Sequence, residues 1–262
     1  MKRCELMAEH LNIHARWGAR TQNVSECSRI ALDCLQRLAR ADDVFSLTWL
    51  LCGWSRSEAL SNSVRLSEDE LQRLLIAGRN CNDDGTVIPE LGFSLGRLWN
   101  GRDNESAHIT INCGAYPDPK YSPSPNDVLV ELPYEGPASL RLKDRTRLVN
   151  IIESIVTPWN PDWLRVSTYG VDESLYGQGR YAGQKVGWLT YVSDRYGPLP
   201  SLPESTLVSR LGIGGSLIEV PSLTLTSFMT EEGVTLLRQI SDILRTARFL
   251  EPIPGSQIAR KL

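Results

Sequence analysis

Three β-type runs follow one another between residues 90 and 133, and they constrain the fold more than any other feature of the sequence. They are "ELGFSLGRLWNG" (90–101), "SAHITINCG" (106–114) and "DVLVELP" (127–133), with no segment of helical period between them. The middle run alternates cleanly, with Ala107, Ile109 and Ile111 on one face and His108, Thr110 and Asn112 on the other. The gap "WNGRDNES" is rich in glycine and asparagine and suits a hairpin loop. Four prolines in "GAYPDPKYSPSPN" (114–126) forbid regular structure, so an exposed loop or a link is expected there.

Helices flank these runs. In "ECSRIALDCLQRLAR" (26–40), Cys27, Ile30, Cys34, Leu35 and Leu38 fall on one side, with Ser25 as the expected N-cap. In "SEDELQRLLIAG" (67–78), Ser67 and Glu70 make a capping box, Leu66 and Leu71 a hydrophobic staple, and Gly78 a stop. Leu148, Ile151, Ile152 and Ile155 predict a helix over 144–157, started by Asp144 and ended by Pro158 and Pro161. A last helix is expected from Thr230 to Arg248, with Val234, Leu237, Ile240, Leu244 and Ala247 as its buried stripe.

Further strands are expected at Val44–Leu51, around Leu140 and Leu142, and in "DWLRVSTYG", "KVGWLTYVSD" and "GGSLIEVPSL", with "GQGRYAGQ" as a loop. Strict β-α-β alternation is missing. The order predicts a single α+β domain over 1–262, with largely antiparallel, mixed sheets flanked by helices. Each half carries a Gly…Trp pair, in "FSLGRLW" and "KVGWLTY", which suggests a loose pseudo-repeat with halves 1–125 and 126–262.

The 262 residues, 41% of them hydrophobic, suffice for a sizeable core. A net charge of −3 argues against a direct nucleic-acid binder. No apolar window is long enough to span a membrane. No apolar stretch follows the charged start "MKRCELMAEHLNIHARWG", so no secretory signal and a cytoplasmic location are expected. The six cysteines, at 4, 27, 34, 52, 81 and 113, include no C-x-x-C pair and read as free thiols.

A catalytic constellation is hard to assemble. His10 and His14 lie four apart, but Leu11 and Asn12 stand where a zinc-protease motif needs its glutamate, so a frayed helical turn is expected. His108 and Cys113 sit too close along one strand to act as base and nucleophile. "GIGG" (212–215) precedes a strand, whereas a phosphate-cradling loop precedes a helix. The basic run "RLKDRTR" (141–147) reads as a solvated helix start. Acidic groups occur at Asp42–Asp43, Asp83–Asp84, Glu68–Asp69–Glu70 and Glu231–Glu232; the last two groups suit first helical turns. No cofactor or metal set emerges.

Seven tryptophans remain, at 17, 49, 54, 99, 159, 163 and 188, and they read mainly as core. Gly187 beside Trp188 implies close approach of another backbone or ring, with Trp188 packed under a helix and beside Trp163; the alternative is an outward interface anchor.

Taken in order, "LWNG" (98–101), "INCGAY" (111–116), "VLVELP" (128–133), "WNPDWLRV" (159–166), "KVGWLTYVS" (185–193), "GGSLIEV" (214–220) and the closing helix followed by "LEPI" resemble the immunity protein 52 family of bacterial polymorphic-toxin systems. Within the resemblance, Trp99, Gly101, Trp159, Trp163, Gly187, Trp188, Gly214 and Gly215 read as architecture. It implies a cytoplasmic, non-enzymatic antidote that binds a cognate toxin. That toxin would be a nuclease of restriction-endonuclease fold delivered by type VI secretion. Toxin contacts are expected from exposed loops, at Asp83 and Asp84 and at Asp118 and Tyr121 of the proline-rich loop. Two other readings stay open: a small hydrolase in which Glu131, Asp162 and Asp194 converge, and an effector chaperone or adaptor.

Overall fold

The computed structural model describes residues 10–45, 48–116, 126–177, 183–212, 214–221 and 231–253. The strands are β1 (Leu11–Trp17), β2 (Thr48–Leu51), β3 (Ser63–Arg65), β4 (Phe93–Trp99), β5 (His108–Cys113), β6 (Asn126–Glu131), β7 (Trp163–Thr168), β8 (Leu189–Ser193), β9 (Leu207–Leu211) and β10 (Gly215–Glu219). The helices are α1 (Val24–Ala41), α2 (Arg56–Ser61), α3 (Glu68–Ala77), α4 (Gly136–Arg141), α5 (Arg145–Trp159), α6 (Tyr169–Tyr176) and α7 (Glu231–Thr246).

Among the described residues the strands form one ten-stranded sheet in the order β3-β2-β4-β5-β6-β1-β7-β8-β10-β9. Every pairing in it is antiparallel, so the sheet is not mixed. β1, from the first half of the chain, lies between β6 and β7 from the second, so residues 1–125 and 126–262 share one sheet. The two Gly…Trp segments map to β4 and to the entry of β8, each third from an edge of the sheet.

β1 corrects the expectation of a frayed helical turn around His10 and His14. "LNIHARW" has period two: Leu11, Ile13, Ala15 and Trp17 are buried on one face, and Asn12, His14 and Arg16 occupy the other. The buried face continues through Val128 and Val130 of β6, Ile109 and Ile111 of β5, and Leu164 and Val166 of β7. α1, α3 and α5 pack together over this face. The stripes Ala31, Cys34, Leu35 and Leu38 of α1 and Leu148, Ile151, Ile152 and Ile155 of α5 are wholly buried. Each of these leucines and isoleucines contributes about 1.5–3 kcal/mol.

The N-cap of α1 is Asn23, not Ser25. Its side chain accepts from the Glu26 amide at 2.9 Å while Glu26 accepts from the Asn23 amide at 2.9 Å, a complete capping box. Ser67 does cap α3, but the Glu70 carboxylate turns to Arg73, at 2.6 and 2.8 Å, so that box is half made. α5 runs through Pro158 and stops at Asn160, whose φ of 43° is left-handed. Leu140 and Leu142 lie in and just after α4 instead of a strand, and Asp43–Phe45 form a 3-10 turn before β2. Ala247 is exposed, because α7 ends at Thr246.

Candidate functional site

The second face of the sheet is the polar one. α2 covers it at Leu50 and Trp99, which form a small separate cluster with Ala59. α6 covers it at β7, where Arg165 and Ser167 both bond Asp172. Between these two helices the floor is built from β5, β6, β1 and β7. Cross-strand partners run Asn112–Asp127–Arg16–Trp163 in one row and Thr110–Leu129–His14–Arg165 in the next.

Charge on this floor is organised around two carboxylates. Asp127 accepts from Asn112 Nδ2 at 2.7 Å and lies 3.0 Å from His14 Nε2. Burial lowers His14 below the ordinary imidazole value, although the Asp127 carboxylate opposes this. Asp172 receives both terminal nitrogens of Arg165, at 2.8 and 2.7 Å, and the Ser167 hydroxyl at 2.9 Å. Lys185 Nζ stands 3.4 Å from the same carboxylate. Beside these groups opens a cavity of about 220 Å³, lined by His14, Arg16, Trp163, Arg165, Gly183, Gln184 and Lys185. The Arg16 Nε is buried and makes no hydrogen bond, and the same holds for the Gln184 amide oxygen. Burial lowers the Arg16 guanidinium below its usual value, against the pull of Asp127 and with the push of Arg165.

The residues singled out in the sequence fall elsewhere. Asp83 and Asp84 are exposed in a turn closed by Asn82 N–H to Thr86 C=O at 2.8 Å, and Asp84 also accepts from the Thr86 amide at 2.8 Å. Asp118 and Tyr121 lie outside the described residues. Trp99, Trp159, Trp163 and Trp188 are buried. Gly101 lies in the β4–β5 turn, and Gly214 and Gly215 lead from the β9–β10 turn into β10. A Cβ on Gly187 would collide with the Val166 carbonyl of β7, so the glycine admits a neighbouring backbone. Trp188 is 4% exposed, which removes the outward-anchor alternative. The Trp163 ring meets Tyr196 edge-on at 5.8 Å, and Trp17 stacks on Trp159 at 5.0 Å.

Glu131, Asp162 and Asp194 do not converge. Glu131 sits opposite Asn12 at one end of β1 and pairs with Arg97 at 2.7 Å. Asp162 accepts from the Gly18 amide at 2.8 Å, beyond the other end, about 20 Å away at ~3.3 Å per residue. Asp194 is bonded by Arg210. Cys113 is buried, and its hydrogen bond with Cys27 and its burial raise the thiol well above its usual value, which removes its nucleophilic form. Among the described residues no three His, Cys, Asp or Glu side chains gather as a metal set, and no helix is long and apolar enough to cross a membrane.

Two charge runs read separately in the sequence neutralise each other. Arg141 grips Asp42 at 2.9 and 2.7 Å, Arg147 reaches it at 3.2 Å, and Arg141 also pairs with Asp43. Burial alone would raise the Asp42 carboxyl, but bonds from Arg141 and the Val44 amide outweigh it and hold it below its usual range. Arg145 completes the set by pairing with Glu219. The run therefore starts α5 with Asp144–Arg147 exposed, as the sequence suggests, and also clasps α4 and α5 to the end of α1.

One tryptophan differs from the other six. Trp54 is fully exposed, one residue before the Ser55 N-cap of α2. Its amide is held by Glu58 at 2.8 Å, and Arg56 is braced to Asp103 at 2.6 and 3.1 Å, so the turn that presents the ring is fixed. Seven tryptophans of equal sequence standing gave no sign of which one faced solvent.

The sequence pattern of the immunity protein 52 family matches residues 10–253. No curated protein matches the chain. Among solved structures, Pseudomonas aeruginosa T6SS protein PA0821 is similar at 12% identity and a TM-score of 0.47, over 97% of this chain and 92% of that one.

Proposed function

We infer that this chain, which belongs to the immunity protein 52 family, acts by forming a stoichiometric complex with one cognate toxin and blocking it. Family membership supports the immunity role. The finer reading is that the toxin is a nuclease of restriction-endonuclease fold, delivered by type VI secretion and met in the cytoplasm. The observation that carries a binding mechanism is the solvent-exposed indole of Trp54 on a braced turn. An exposed tryptophan keeps about 150–250 Å² of mostly apolar surface in water, and tryptophan is enriched among residues that dominate interface energies. The Asp83–Asp84 turn is proposed as a second contact that speeds capture of a basic partner.

Co-expression tests this. A candidate cognate toxin is induced in cells with and without the protein, followed by pull-down. Rescued growth with an equimolar complex is expected. A complex without rescue would indicate an escort. Rescue without a complex would indicate an activity on the toxin's substrate or product, and would overturn the binding mechanism.

A further inference from the structure

The cavity beside β1 holds more positive charge than its own carboxylates neutralise. Arg16, Arg165 and Lys185 supply three cations, and Asp127 and Asp172 supply two carboxylates, leaving one positive charge. Asp172 already takes Arg165 and Lys185, and Asp127 takes His14 and Asn112. Arg16 is the cation left over: its side chain forms no ion pair or hydrogen bond with any described residue, and its Nε is buried. An arginine placed so on a central strand is costly to the isolated protein, because its partly desolvated charge has only the through-space pull of Asp127 and no direct ion pair or hydrogen bond in return for lost hydration. Such a group is retained where something outside the fold completes it.

The chemistry of that completing group follows from the walls. Arg16 and Arg165 stand diagonally on adjacent strands and both line the cavity, Arg165 already gripping Asp172, with the Lys185 ammonium and Trp163 beside them. The Arg16 fork, which no described carboxylate takes, matches a further carboxylate, which accepts two parallel N–H donors. A volume of about 220 Å³ holds a side-chain carboxylate with a few waters, and is too small for a folded segment.

We propose that this cavity is a carboxylate-binding site and that its occupant is an aspartate or glutamate side chain of the toxin. The proposal rests on the toxin-binding reading above for its occupant, and on this chain alone for its chemistry. It reverses the polarity expected from the acidic loops: the protein receives a carboxylate here as well as offering its own.

Two measurements separate the parts. In the first, the isolated protein is titrated with sodium acetate against sodium chloride of equal ionic strength, and the Arg16 and Arg165 Nε–Hε resonances are followed by NMR. Saturable shifts with acetate, absent with chloride and lost in Arg16→Gln, are expected. Equal response to both salts would overturn the site. In the second, toxin affinity is measured for wild type, Arg16→Gln and Arg16→Lys. Arg16→Gln is expected to weaken the complex by tenfold or more while its urea midpoint stays level or rises. Arg16→Lys keeps the charge and recovers part of the loss, which controls for a folding defect in the glutamine variant. Acetate binding with unchanged toxin affinity would overturn the occupant and assign the site to a free carboxylate. If wild type forms no complex at all, the toxin-binding reading fails by itself, and the acetate titration still decides the site.

Discussion

Arg165 on β7 donates through both terminal nitrogens to the two carboxylate oxygens of Asp172 on α6, at 2.8 and 2.7 Å, with both side chains nearly closed to solvent. This fork fixes α6 on the polar face and holds the Arg165 side chain that lines the cavity. Removing one partner strands the other as a buried charge. Asp172→Asn is expected to cost about 3–5 kcal/mol in urea denaturation. The double variant Arg165→Met, Asp172→Leu is expected to cost less than the single one, because the buried arginine is not left unpaired and only the more open Lys185 loses its contact.

Trp17 and Trp159 stack at 5.0 Å with an interplanar angle of 23°, and Arg20 lies over the Trp17 ring while its Nη1 donates to the Trp159 carbonyl at 2.7 Å. Trp159→Ala is expected to destabilise by about 3–5 kcal/mol. A double-mutant cycle with Trp17→Phe is expected to show coupling of about 0.5–1.5 kcal/mol, read from urea midpoints.

Gly187 and Gly212 give a paired test of why glycine is needed. A Cβ at Gly187 meets the Val166 carbonyl, whereas a Cβ at Gly212 meets nothing within 4 Å. Gly187→Ala is expected to destabilise by about 1–3 kcal/mol, since strand β7 must shift, and Gly212→Ala to be near neutral. Thermal unfolding of both variants beside wild type checks the contrast.

His108 sets a pH dependence. Burial lowers it from an ordinary 6.5 to about 4, with Arg97 acting in the same direction. Between these values the unfolded chain binds a proton that the folded chain refuses. Stability is therefore held above pH 6.5, falls as pH drops toward 4 and levels off below. His14 acts in the same sense, since its folded value is also lowered. His108→Gln is expected to show a smaller fall in urea midpoint between pH 7.5 and 4.5 than wild type.

Trp54 and Asp83 distinguish affinity from capture rate. Trp54→Ala is expected to raise the dissociation rate of the toxin complex at least tenfold with no change in thermal midpoint, because the ring touches little of its own fold. Asp83→Lys is expected to slow association mainly at low salt. Asp84 is a poorer probe, since its carboxylate also holds the Thr86 amide. Surface plasmon resonance at two ionic strengths reads both effects.

Much of the architecture was legible because it is written in short-range period. The stripes of α1, α3, α5 and α7 and the alternation of β5 and β6 are local patterns, and each predicts its own buried face. β1 is equally regular, with Leu11, Ile13, Ala15 and Trp17 at period two, but the i, i+4 spacing of His10 and His14 is a competing helical signal. β9 is an edge strand with four of its five residues exposed, so no apolar alternation marks it.

The candidate site was not legible, and the reason is spatial. Arg16 and Arg165 are 149 positions apart in sequence and become neighbours only because β7 pairs antiparallel with β1, in the register that sets Arg16 against Trp163 and His14 against Arg165. Asp42 and Arg141 likewise looked like separate charge runs until α4 met the end of α1. The sequence by itself determined the four long helices, the strands β4 to β8 and β10, and a largely antiparallel arrangement, since these follow from side-chain period and loop length. Tertiary structure decided that an early strand stands at the centre of the sheet, that six tryptophans turn inward and Trp54 outward, and which cations keep a partner. Pairing between distant strands is set by the summed burial of the whole core, and no local pattern carries that sum.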